Sequence, residues 1–323
     1  MSVVARALVP EDDVLAGLGE SPKRLPCRLL YDATGAELFE QITGVDDYYP
    51  TRVEYRLLDE LLPSIAEDVG AAARVIEPGA GAGCKTRRLL RALYAPAAYV
   101  GIDVSREILE RTQRTLAREL PTVDVQTVCA DFTRPYTLPA PRRPIGKTLV
   151  FFPGSTIGNF EPFDAIVFLA GLARLAGPDG RLLLGADGTQ DPAALVRAYD
   201  DLDGVTAQFN LNVLDHLNRT RGAAFDLAQF RHRAVWNARH SRVEMHLVSQ
   251  REQTVDVGGA VIHLEKGEPI VTEHCYKHAL PALRSMLHAA GWEPRRVLTG
   301  TEQPMRLWWC APLVRPVQSR TVA

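Results

Sequence analysis

Between residues 74 and 187, short apolar runs alternate with amphipathic stretches. "ARVIEPG", "AAYVGIDVS", "VDVQTVCADF", "KTLVFFPGST" and "GRLLLGAD" read as five strands, apolar along nearly their whole length. "CKTRRLLRALY", "REILERTQRTLAREL" and "DAIVFLAGLARLA" between them carry helical spacing. Strands apolar on both faces, alternating with helices, predict a parallel sheet covered on both sides. Just before, "VEYRLLDELLPSIAEDV" (53–69) is spaced as a helix that Pro63 is placed to kink or end. After residue 188 the period changes. "PAALVRAYDDLDGVTAQFNLNVLDHLNRT" is mostly helical, and residues 230–270 alternate as antiparallel strands with a Gly258-Gly259 hairpin turn. The tail returns to a helix, "ALPALRSMLHAAG", and two strand-like pieces, "EPRRVLTG" and "MRLWWCAP", which read as the closing elements of the first sheet. Residues from 189 to about 277 are then a module inserted into the first, and the N-terminal segment, without a sheet of its own, joins it.

Composition narrows the function classes. The 323 residues suffice for a sizeable core, and 46% hydrophobic with 24% charged residues is ordinary for a globular chain. A net charge of −2 speaks against broad binding to nucleic acid or an anionic membrane. No apolar run approaches the roughly 20 residues of a membrane span. Five cysteines without a CxxC pair argue against a disulfide framework or a zinc site and fit a reducing cytoplasm. The histidines at 232, 240, 246, 263, 274 and 278 show no tight metal spacing and read mostly as sheet-surface or rim residues.

The stretch "VIEPGAGAGCKTRRLL" (75–90) is a ligand cradle open to three readings. A phosphate loop needs a glycine where Cys84 stands before Lys85-Thr86. A dinucleotide fingerprint needs G-x-G-x-x-G, whereas Gly79, Gly81 and Gly83 are spaced G-x-G-x-G. The third reading is S-adenosylmethionine. Glu77 opens the loop, and Asp103 ends the next strand 22 residues after Gly81, where a carboxylate can accept both ribose hydroxyls. "ADF" after the third strand offers Asp131 to the adenine amino group and Phe132 to its ring. Gly79, Gly81 and Lys85 complete this donor set. Helix capping by Asp103 and Asp131 is the alternative.

Two further blocks are too specific for scaffold: "LLYDATGAELFEQITGVDDYYPTRVEY" (29–55) and "FFPGSTIGNFEP" (151–162). With "VRAYDD", "FNLNVLDHLNR", "RVEMHL" and "TEHCYKH", the chain resembles the histidine-specific S-adenosylmethionine-dependent methyltransferase family from about residue 25 to its end. The resemblance implies an α/β fold with a class I, Rossmann-like methyltransferase sheet and an inserted α+β substrate-binding domain. It places the substrate-binding domain at 1–53 and 189–277 and the donor-binding domain at 54–188 and 278–323. It further implies trimethylation of the α-amino group of L-histidine to hercynine, in ergothioneine biosynthesis. Asn159 and Tyr199 would hold the amino acid's backbone groups, with helix N-capping the alternative for Asn159. Tyr31, Tyr48 and Tyr49 would close over the substrate, with Gly154 and Thr156 at the site through their backbone. Glu273 would accept the imidazole N–H, and Met245 matches a pocket position whose alternative is ordinary core filling. The position two beyond Glu273 is typically serine in the bacterial histidine enzymes; here it is Cys275, a weaker hydrogen-bonding group.

Methyl transfer from a sulfonium is an in-line displacement by a free amine. An α-amino group with a pKa near ~8 has a neutral fraction at physiological pH, so no strong base is required. The site must instead hold nitrogen, methyl and sulfur in line, with reacting atoms roughly 3–3.5 Å apart. Tyr31, Asn159 and Tyr199 are the residues expected to orient the nitrogen. Tyrosine faces can stabilise the final cation. The expected partner is a small amino acid, with no metal, nucleic acid or membrane, and the chain is expected to act as a monomer. Cys275 keeps a different amino acid or a histidine derivative in view as substrate. A silent donor-binding protein and a nucleotide hydrolase are the readings from other classes.

Overall fold

The computed structural model describes residues 12–301 and 304–313. Helix α1 (Asp13–Leu18) is followed by a two-residue strand β1 (Lys23–Arg24), α2 (Ala33–Ile42) and the long α3 (Tyr49–Val69). Strands β2 (Arg74–Pro78), β3 (Ala98–Asp103) and β4 (Asp124–Cys129) alternate with α4 (Cys84–Ala92) and α5 (Arg106–Glu119). Next come β5 (Thr148–Phe152), α6 (Pro162–Ala176) and β6 (Arg181–Asp187). Helices α7 (Pro192–Tyr199) and α8 (Val205–Arg221) precede β7 (Phe230–Asn237), β8 (Arg242–Ser249), β9 (Gln253–Val257), β10 (Ala260–Leu264) and β11 (Pro269–Tyr276). The chain closes with α9 (Leu280–Ala289), β12 (Trp292–Thr299) and β13 (Met305–Pro312).

Two compact units result. One takes the residues up to Tyr48 together with Gln190–Cys275; the other takes Tyr49–Thr189 and the chain from Tyr276 onward. The division read from sequence at 53/54 falls inside α3, which starts four residues earlier and runs without a break through Pro63. Pro63 forfeits one helical hydrogen bond. The buried row Leu57, Leu58, Leu61, Leu62, Ile65 and Ala66 carries the helix past it, because tertiary packing outweighs local propensity.

The second unit holds a seven-stranded sheet in the order β12-β13-β6-β5-β2-β3-β4. Strands β6, β5, β2, β3 and β4 are parallel, while β13 runs antiparallel to both β6 and β12. One face of the sheet packs Val150, Phe152, Leu182, Leu184 and Trp308 against Ala165, Leu169 and Leu172 of α6 and Leu283 and Leu287 of α9. Fully buried Trp292 joins this core and donates its indole N–H to the Leu169 carbonyl at 2.9 Å. From β2 the chain winds one way through β3 and β4, and from β5 it winds the other way through β6. The carboxyl ends of β2 and β5 therefore flank a topological switch point, where open α/β sheets take ligands.

The first unit has a four-stranded sheet in the order β1-β11-β8-β7 and a separate β9-β10 hairpin. The N-terminal segment contributes β1, which pairs parallel to β11 with Arg24 opposite Val271. Gly258 and Gly259 turn the hairpin at φ 62° and 91°, as a two-residue turn with both centres left-handed demands. On β7 and β8, Ala234 opposite Met245 and His232 opposite Leu247 point inward, and Arg233 opposite His246 points to the other face. No described helix is long and apolar enough to cross a membrane.

Candidate active site

In the second unit, β2 ends in a loop whose Gly79, Gly81 and Gly83 all have positive φ (70°, 49° and 70°). The loop is tied to the next strand: the Gly79 N–H reaches the Ile102 carbonyl at 2.7 Å, and the Gly81 N–H reaches Asp103 Oδ2 at 3.0 Å. The Thr112 hydroxyl of α5 donates to the Gly81 carbonyl at 2.8 Å. Gly83 caps α4 in the left-handed region, and a Cβ there would stand 2.7 Å from the Thr112 methyl. The third glycine therefore serves the close approach of two helices. Asp103 accepts the Gly81 and Ser105 N–H groups, which leaves acceptor capacity on its two oxygens for a diol. Burial raises its pKa, and these N–H bonds oppose the rise.

Glu77 does not line this loop. It is 2% exposed, and its Oε2 accepts the Thr86 hydroxyl at 2.5 Å and the Tyr99 hydroxyl at 2.7 Å. Burial pushes its pKa to about 8 against those two bonds, so near neutrality it is a neutral acid fastening α4 to β3 beneath the loop. Asp131 takes the Thr133 N–H at 2.9 Å and hydroxyl at 2.6 Å, and pairs with Arg134 at 3.4 Å. These bonds close a local turn, and no helix follows it for Asp131 to cap. Phe132 joins Phe152, Phe160 and Phe168 in an aromatic cluster, its ring against Gly79, where a Cβ would lie 3.4 Å from it. That brings the end of β4 to the glycine loop.

The turn after β5 is strained. Gly154 and Ser155 are both left-handed (φ 80° and 59°), and the next residues form a 3-10 turn, Thr156–Asn159. A non-glycine residue in that region costs about 1–3 kcal/mol, which neighbouring contacts must offset. The Gly154 N–H rests on both oxygens of Glu54 at 2.9 Å, and Ser155 Oγ accepts the Asp187 N–H at 2.9 Å. Glu54, 1% exposed on α3, also binds the Lys85 ammonium. Lys85 therefore links the glycine loop to the Gly154 turn. Gly185 of β6 is small for the same reason, since a side chain there would occupy the place of the Glu54 carboxylate. Asn159 closes the 3-10 turn and does not cap α6, whose N-cap is Glu161. Thr156 bonds the Pro153 carbonyl at 3.2 Å, and the Tyr49 hydroxyl donates to Asp187 at 2.5 Å.

In the first unit, Tyr31, Tyr48 and Tyr199 are brought together. Tyr31 packs edge-on against Phe39 (5.6 Å) and Phe209 (5.4 Å), Phe39 meets Tyr48 (6.3 Å), and Tyr48 meets Tyr199 (6.1 Å). The Tyr199 hydroxyl lies 3.0 Å from the Cys275 sulfur. Burial and then neighbouring negative groups, Glu273 among them, hold the Tyr31 and Tyr199 hydroxyls protonated well above their usual range. Both tyrosines are therefore neutral hydrogen-bonding groups. Met245 is buried on the inward face of β8.

The sequence profile of the histidine-specific, S-adenosylmethionine-dependent methyltransferase family matches residues 10–312. The chain belongs to this family. It is 42% identical over 287 residues to a histidine N-alpha-methyltransferase of Mycobacterium tuberculosis (strain CDC 1551 / Oshkosh), covering 86% of this chain and 87% of that protein. With the enzyme of the same name from Mycolicibacterium smegmatis (strain ATCC 700084 / mc(2)155) it shares 40% over 81% of this chain and 82% of that protein. A Neurospora crassa ergothioneine biosynthesis protein 1 is 35% identical over 63% of this chain, a stretch that is 24% of the fungal protein.

Sequence reasoning missed several residues of this methyltransferase. Glu54 and Asp187 lay unremarked inside quoted motifs. His232 is not a surface residue: it is 6% exposed, its Nε2–H donates to the Tyr199 carbonyl at 2.9 Å, and its Nδ1 accepts from Asn210 at 2.8 Å. Asn210 in turn takes the Thr272 hydroxyl at 2.6 Å, so a buried polar chain runs from Tyr199 to β11, which carries Glu273. His274 and His278 are also buried, at 8% each. Among the described residues, no group of three or more His, Cys, Asp or Glu side chains could hold a metal ion.

Two outcomes are expected. Gly83→Ala should lower unfolding free energy by about 1–3 kcal/mol in urea titration, from left-handed strain and the Thr112 contact. Glu77 keeps its proton up to about 8 in the fold and to 4.5 in the unfolded chain, so its stabilisation is complete at low pH and is lost as pH rises through about 8. In Glu77→Gln, the fall of Tm between about pH 5 and about pH 8 should be shallower than in the parent; parallel curves would refute the neutral acid.

Proposed function

We propose that the protein is an Nα-methyltransferase that converts L-histidine to its trimethylated betaine, hercynine, in ergothioneine biosynthesis. The observation that carries this reading is the surround of Glu273 in a chain of this family. Glu273 is a buried carboxyl on β11 whose charge acts on the neutral hydroxyls of Tyr31 and Tyr199, and a buried carboxyl of this kind suits an imidazole N–H. S-adenosylmethionine supplies the methyl group when bound. Its adenosine would be held by Asp103, by Phe132 and by the loop of Gly79 and Gly81. Asn159, on a turn held by Glu54 and Asp187, presents an amide able to orient the substrate amine or carboxylate. The enzyme works without metal, as one chain in a reducing cytoplasm; the five cysteines are all free thiols.

A second reading, methylation of another amino acid or a histidine derivative, is favoured by one contact. The Cys275 thiol lies 3.0 Å from the Tyr199 hydroxyl, and a thiol is a weaker hydrogen-bonding partner than the serine hydroxyl that the family resemblance leads one to expect at this position. The deciding experiment is mass spectrometry of an equimolar mixture of the twenty amino acids with S-adenosylmethionine. Histidine should gain three methyls, and Glu273→Ala should lower kcat/KM for histidine by tenfold or more, roughly the worth of one charge-assisted hydrogen bond. Transfer to another amino acid would establish the second reading.

A further inference from the structure

Asp187 ends β6 with 1% of its surface exposed. Its Oδ2 accepts the Tyr49 hydroxyl at 2.5 Å and faces the Lys277 ammonium at 3.1 Å; its Oδ1 accepts the Thr189 N–H at 3.0 Å and hydroxyl at 2.7 Å. Its own N–H donates to Ser155 in the Gly154 turn at 2.9 Å. Lys277 is fully buried, so the ion pair has no solvent to fall back on. The chain enters this unit at Tyr49, leaves it after Thr189 and re-enters at Tyr276. Each of these crossings has a side chain on Asp187: Tyr49 itself, Thr189 itself, and Lys277 one residue past the third.

We infer that Asp187 is a positioning residue for methyl transfer: one buried carboxylate fixes all three places where the chain enters or leaves the donor unit, and fixes the Gly154–Asn159 turn with them. This rests on the proposed function, in which that turn meets the reacting amine. The substrate-side residues hang from these crossings. Tyr48 immediately precedes the first, Tyr199 sits on the helix after the second, and Glu273 and Cys275 immediately precede the third. An in-line displacement loses about 10²-fold for a misplacement of about 1 Å, so the roots of these segments must be stiff. Burial alone would raise the Asp187 carboxyl; the Lys277 charge and the Tyr49 and Thr189 donors outweigh it and keep the group ionised below the usual range.

Two variants test this without touching the residues placed at substrate. Thr189→Val removes one donor at nearly constant volume. The double variant Asp187→Asn with Lys277→Met removes both charges, so neither is left buried alone. For each, Tm, kcat, KM for both substrates, calorimetric binding of S-adenosylhomocysteine and hydrogen exchange of residues 153–160 and 274–280 are measured. The expected result is a folded protein that binds S-adenosylhomocysteine within about threefold of the parent. Its kcat should fall about tenfold or more in the double variant and less in Thr189→Val, with faster exchange in both segments. A lowered Tm with unchanged kcat and unchanged exchange would make Asp187 a stability residue only and overturn the proposal. If the parent enzyme methylates another amino acid, the histidine reading fails, while kcat on that amino acid and the exchange pattern still decide this one.

Discussion

A carboxyl group removed from water must be supplied with hydrogen-bond partners, and the second unit meets that demand three times. Glu54, Glu77 and Asp187 are each no more than 2% exposed. An unpaired buried charge costs several kcal/mol, and a neutral acid left without partners is also penalised for its burial, so each one dictates what surrounds it. Glu54 takes Lys85 and the Gly154 N–H, Glu77 takes two hydroxyls, and Asp187 takes Lys277, Tyr49 and Thr189. The groups recruited by Glu54 and Asp187 include the strained Gly154 turn and the chain crossings, and those recruited by Glu77 belong to α4 and β3 beside the glycine loop. The Gly154 turn and the chain crossings are therefore held by two of the unit's most demanding buried groups.

The sheet was legible because its signal is local. Apolar runs of five to seven residues ending in glycine or aspartate mark strands whether or not their neighbours are known. The glycine loop and Asp103 could be read for the same reason, since strand-end chemistry is set by the few residues that follow. The start of α3 could not. Tyr49, Pro50 and Thr51 have poor helical credentials, yet they form its first turn as buried residues, so packing decides the boundary. Glu54 and Asp187 escaped notice because partners such as Gly154 and Tyr49 lie 100 and 138 residues away in sequence. A carboxylate in sequence carries no sign of being buried; only its partners reveal it.

The same blindness hid the polar chain of the first unit. His232 has ordinary surface neighbours in sequence, since alternation along β7 places charged Arg231 and Arg233 outward. The intervening His232 turns inward, and burial lowers its pKa, so it stays neutral and bridges a carbonyl to an amide. A neutral imidazole suits that task because it offers one donor and one acceptor in fixed directions. It pins the backbone of Tyr199 while the tyrosine's hydroxyl is engaged by Cys275. Its backbone is thus fixed independently of the weak thiol partner at its hydroxyl.

Glu77 and Asp103 show how two acids at neighbouring strand ends divide their labour. Burial raises the pKa of both, and the charge of Asp103 raises that of Glu77 further. Backbone N–H groups favour the ionised form of Asp103, from Gly81 and Ser105, whereas the hydroxyls beside Glu77 only partly oppose its burial. The proton therefore resides on Glu77. The charge resides on Asp103, at the strand end where ribose hydroxyls are to be accepted. A motif that reads in sequence as two equivalent acids is in the fold one structural acid and one ligand carboxylate. Environment separates them where residue type does not.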